Sequence, residues 1–92
     1  MERGESKIDQ ELRQALDRLA DTDEIEVLLY PKQMGGTIEE FLLAKKGEGL
    51  LDYNVLQLAN CIVIKAQKKV ILEIANRDDV SRIAVNPRFT VY

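Results

Sequence analysis

The 92-residue sequence predicts an α+β domain, and three observations carry that expectation. Two apolar, β-branched runs, Ile62-Val63-Ile64 and Ile83-Ala84-Val85, bracket a short stretch with Val70, Ile71 and Ile74 at helical spacing. A third run, Ile25 to Tyr30, puts Ile25, Val27 and Leu29 on one strand face and stops at Pro31, which has no N–H for a ladder. Between these runs lie a second helical stretch from Thr37 and a strand candidate from Leu50 to Leu58. The order is one helix followed by β-α-β-β-α-β. This is the ferredoxin-like pattern, an α+β sandwich in which a four-stranded antiparallel sheet carries two helices on one face. Residues 6–20 form the additional N-terminal helix, 24–85 the ferredoxin-like core and 86–92 an extended C-terminal tail, all within a single domain.

Each element has a local reason. Ile8, Leu12, Ala15, Leu16 and Leu19 share one face of an amphipathic helix, and Ser6 with Asp9 fits an N-cap and N3 pair. Asp21-Thr22-Asp23-Glu24 reads as a solvated turn, because it lacks the glycine and alternating oxygen ligands of an EF-hand loop. Thr37-Ile38-Glu39-Glu40 has the form of a capping box, with Ile38, Phe41, Leu42 and Lys45 following and Gly47 as a left-handed stop. The preceding Gly35-Gly36 is no phosphate cradle: no Lys-Ser/Thr follows, and two glutamates in the first turn repel an anion. In the strand from Leu50, Tyr53 and Val55 take one face while Leu56 and Leu58 take the other. Leu58-Ala59-Asn60-Cys61 then signals a hairpin, and Arg77-Asp78-Asp79 a turn. The sheet face opposite the helices has no evident cover other than the N-terminal helix, which makes it a natural docking surface.

Composition narrows the function. An apolar share of 46% with 32% charged residues supports a real core under a solvated surface. A net charge of -3 with mixed signs argues against nucleic acid as a partner, since counterion release needs a basic face. No apolar run reaches the length of a membrane span. The chain contains no histidine, which removes Ser-His-Asp and Cys-His catalysis and histidine-containing zinc sites. The single Cys61 reads as a small buried hydrophobe. The expectation is therefore a non-enzyme without metal or cofactor.

The segment from Asn60 to Tyr92 carries a resemblance. Asn60 falls at the hairpin before the third strand, Val70, Ile71 and Ile74 on the second helix, Asp78-Asp79-Val80 at an acidic turn followed by valine, Ile83 inside the last strand, and aromatic Tyr92 at the end. This arrangement resembles the propeptides of subtilisin-like serine proteases and the free-standing inhibitors of the same fold. From Ile25 to Leu58 only the order of elements matches. The resemblance implies a domain that docks its sheet on two helices of the protease and feeds its C-terminal segment into the substrate cleft. Arg88, Phe89, Thr90, Val91 and Tyr92 would then add as a strand to the enzyme. Tyr92 would fill S1, Val91 S2 and Phe89 S4, with Thr90 outward and the Tyr92 carboxylate near the oxyanion hole. Pro87 lowers the cost of ordering this tail. Such a domain inhibits the protease and, as a prosegment, acts as an intramolecular chaperone, in cis or in trans.

The sequence departs from the family after the last strand. Acidic residues that meet helix N-termini of the protease are replaced by Ala84, Val85 and Asn86, of which only Asn86 can cap a helix. The implied partner is a subtilisin-like serine protease, with the free domain monomeric. The start of the chain lacks the apolar segment of a signal peptide, so the expected location is cytoplasmic, or extracellular within a longer secreted precursor. Two other readings fit the same topology: a non-catalytic protein-interaction module, and a small-ligand-sensing regulatory module.

Overall fold

In the computed structural model, which describes residues 7–33 and 36–86, four strands pair in the order β2-β3-β1-β4. They are β1 (Glu24–Pro31), β2 (Leu50–Leu56), β3 (Cys61–Gln67) and β4 (Val80–Val85), with every neighbouring pair antiparallel. Helix α1 (Gln10–Asp17) precedes β1, α2 (Thr37–Lys45) joins β1 to β2, and α3 (Lys68–Ala75) joins β3 to β4. This is the ferredoxin-like arrangement with one added N-terminal helix.

Alternation along the strands decides where the core sits. Ile25, Val27 and Leu29 of β1 are buried and lie in register with Ala66, Ile64 and Ile62 of β3. Ile83 of β4 continues the layer beside Leu29. Against this face pack Ile38 and Leu42 of α2 and Val70, Ile71 and Ile74 of α3, in one continuous apolar cluster. Each such side chain removed from water contributes about 1.5–3 kcal/mol.

The turns follow from residues able to take positive φ. Lys46 (φ -63, ψ 125) and Gly47 (φ 88) form the centre of a type II turn closed by the Glu48 N–H donating to the Lys45 carbonyl at 2.8 Å. Asn60, left-handed at φ 54, closes the β2–β3 connection. Gly49 is constrained more tightly. Its φ is +108, and a Cβ there would lie 2.6 Å from Cγ2 of buried Val70.

The helix starts differ from those the sequence predicts. The chain at Ile8 is extended and bridged to Ile83, the Asp9 N–H donates to the Ile83 carbonyl at 3.0 Å, and α1 begins only at Gln10. Asp9 stands at the N-cap without capping, because its carboxylate accepts two bonds from Arg82 Nε and one from Nη2, at 3.0–3.2 Å. Ser6, the expected cap, lies outside the described residues. The Thr37 box is likewise replaced: Gly36 occupies the N-cap, and the Thr37 hydroxyl donates to Asp79 Oδ2 at 2.7 Å. In both cases a side chain expected to bond a local amide pairs instead with a group distant in sequence. Strand β2 also stops short, at Leu56 rather than Leu58. The Leu56↔Cys61 pair ends the ladder there, and residues 57–60 must reverse the chain in a 3₁₀ turn that leaves Leu58 fully exposed.

The N-terminal helix does not cover the opposite sheet face. Leu12 and Leu16 are buried in the same cluster as Ile71, Ile74 and Ile83, so α1 joins α2 and α3 on one side of the sheet. The loop after α1 ties it to α3. The Asp23 and Asp21 carbonyls accept the first amides of α3, from Lys68 (2.8 Å) and Lys69 (3.1 Å), and Lys68 Nζ donates to the Leu19 carbonyl at 3.0 Å. The acidic turn at 21–24 is thus a helix cap made of backbone. On the other side of the core, Arg77 Nε and Nη2 both donate to the Asp79 carboxylate at 3.0 Å, and the Arg77 guanidinium lies 4.4 Å from the centre of the Phe41 ring. This pairing clamps the α3–β4 turn to the start of α2.

Two outcomes are expected. Gly49→Ala destabilises the fold by about 1–3 kcal/mol, through both the positive φ and the Val70 clash, measured by urea denaturation. An unchanged midpoint would mean that this turn is not as described. The Arg77 hydrogen bonds hold the Asp79 carboxyl below the usual carboxylate range, against opposing desolvation and with help from Thr37. A lowered folded pKa contributes stability that is complete above the unfolded value near 3.8 and is lost as pH falls through the folded one. Asp79→Asn should therefore cost about 1 kcal/mol at neutral pH, with the gap from the parent closing in denaturation curves taken below pH ~3.8. A gap independent of pH would remove the ionised carboxylate from the account.

Candidate functional site

Because the helices share one side, the outer face of the sheet carries no second layer among the described residues. Its side chains are the alternate positions of each strand: Glu26, Leu28 and Tyr30; Cys61, Val63 and Lys65; Asp52, Asn54 and Leu56; Arg82 and Ala84. In register, Val63 stands between Leu28 and Asn54, and Leu28 between Val63 and Ala84. This makes a short apolar band across the sheet. One end of it is charged, with Lys65 in register with both Glu26 and Asp52. Asp52 pairs with Lys46 at 3.7 Å. A shallow depression lies here, lined by Glu26, Asp52, Tyr53, Asn54, Val63 and Lys65. Among the described residues no group of three or more His, Cys, Asp or Glu side chains could hold a metal ion. Cys61 is buried, as its sequence context suggests, but on this outer side and outside the main core cluster.

The predicted site residues fall in two groups. Asn86 follows β4 directly, is 7% exposed, and donates from Nδ2 to Glu26 Oε2 at 2.6 Å. It is therefore engaged within the domain, at the charged end of the outer face. Arg88, Phe89, Thr90, Val91 and Tyr92 lie outside the described residues, as does Pro87.

Glu26, Lys65 and Asp52 were not singled out by sequence. The alternation from Ile25 to Tyr30 already opposes Glu26 to the core. The meeting of all three depends on strand register, which no local pattern encodes.

No protein-family model, curated protein or solved structure matches this chain.

Asn86→Ala removes the Nδ2 donor to Glu26 Oε2 and should lower stability by about 1–2 kcal/mol, as for hydrogen bonds to charged groups. Thermal and urea unfolding indistinguishable from the parent would show that the contact contributes nothing.

Proposed function

We propose that this chain is a non-catalytic inhibitor and folding template of a subtilisin-like serine protease, which docks the outer face of its sheet on the enzyme and inserts residues 88–92 product-like into the substrate cleft. The observation that carries the reading is the pairing of a sheet face without a second layer among the described residues with a chain exit at its corner. The band of half-buried Leu28 and Val63 with exposed Leu56 offers apolar contact on this side of the sheet. The last described residue, Asn86, leaves the edge strand β4 beside Glu26.

Glu26 also bears on the departure at positions 84–86. The sequence has no carboxylate there, yet the Glu26 carboxylate lies within hydrogen-bond reach of Asn86 from the neighbouring strand. A negative charge therefore stands at the same corner, suited to the N-terminus of a partner helix. In this reading Asn86 orients that carboxylate, and any direct capping by Asn86 would exchange its bond to Glu26 for one to the partner. Tail side chains in extended conformation would pair with the enzyme's binding edges, and no group of this chain is asked to perform chemistry.

The test compares the full chain with a variant ending at Arg88, each titrated against subtilisin-type proteases with a peptide substrate. Sub-micromolar competitive inhibition by the full chain is expected. The shortened chain should lose it while keeping the same circular dichroism spectrum. Equal inhibition by both forms, or none by the full chain, would sink the proposal.

A further inference from the structure

The two edges of the sheet are treated differently. On β4, Ile8 bridges to Ile83 and Asp9 ties down Arg82, so the N-terminal arm occupies that edge. On β2, the outer edge beyond the Lys46–Leu50 bridge has no strand partner among the described residues. Natural edges are blunted by lysine, proline or a bulge. β2 has the bulge, where Leu51 is the extra residue between Leu50 and Asp52, but no lysine and no proline. The regular part is Asp52–Leu56, whose midpoint is Asn54. Three of the five exposed large hydrophobic residues among the described residues lie on this strand and the turn after it: Leu51 (40%), Leu56 (37%) and Leu58 (107%).

We infer that the β2 edge pairs antiparallel with β2 of a second copy of this chain, about a two-fold axis at Asn54, joining two four-stranded sheets into one of eight. The strand is self-complementary in this register. Tyr53 faces Val55 of the mate, an aromatic and β-branched pair that suits cross-strand contact, and Asn54 faces its own equivalent. Leu58 lies four residues after the axis and Leu51 three before it. Each end of the shared seam therefore carries exposed Leu51 of one copy and the turn with exposed Leu58 of the other. The only charge of the strand, Asp52, faces Leu56 of the mate. It stands roughly 13 Å from its own equivalent, beyond the screening length of about 8 Å at physiological salt. The pairing leaves the outer face and the end of β4 free, so it is independent of the proposed protease binding. It replaces the monomer that the sequence suggests.

Sedimentation equilibrium of the full chain over the micromolar range should give a mass rising towards twice that of one chain. Leu51→Lys with Leu58→Lys should hold it at one chain without altering the circular dichroism. Independently, Asn54→Cys should form a disulfide-linked dimer under mild oxidation, whereas Asp78→Cys in the α3–β4 turn should not. A single-chain mass at all concentrations, dimers that survive the double lysine change, or equal cross-linking at 54 and 78 would each overturn the inference. Protease inhibition is not read in any of these arms, so their failure leaves the proposed function standing.

Discussion

The register of β1 is the constraint on which the rest of the structure depends. Strand β1 is central, with β3 on one side and β4 on the other, and its Ile25, Val27 and Leu29 are entirely shielded from water. A slip of one residue would turn Glu26, Leu28 and Tyr30 into the core and expose those three, at a cost of several kcal/mol. The same constraint creates the candidate surface. With the core held to one side, the other side of the sheet can hold a mixed band of Leu28, Val63, Glu26 and Lys65 without loss of stability.

Small size makes the N-terminal arm more than an addition. A domain of this length buries a modest fraction of its surface, and Leu12 and Leu16 extend the apolar cluster beyond what two helices supply. The arm is fixed at three points: the Ile8 bridge, the Asp9–Arg82 pair, and the bonds of the 19–23 loop to α3. Its position against β4 also sets the asymmetry of the sheet, since one edge is occupied and the other has no strand partner among the described residues. The proposed binding through the outer face and the inferred pairing through β2 therefore use separate surfaces.

Much of the architecture was legible in the sequence. The order of elements, the buried positions of β1 and α3, the turn at Gly47 and the reversal at Asn60 all rest on local chemistry. Alternation, helical spacing and tolerance of positive φ each act within a few residues. The misses share another cause. Asp9 and Thr37 fit local caps by their neighbours but are drawn to Arg82 and Asp79, and Leu58 continues the strand's side-chain pattern but falls in the turn after it.

What the sequence determined by itself is which side of each element is apolar, because that depends only on residues two to four apart. What only the tertiary structure decided is the distant partners that several polar side chains take. Thr37 meets Asp79 across 42 residues, Asn86 meets Glu26 across 60, and Arg82 meets Asp9 across 73. A charged or hydrogen-bonding group takes whichever partner the packed chain brings within about 3 Å, and only the assembled sheet and helices set that distance.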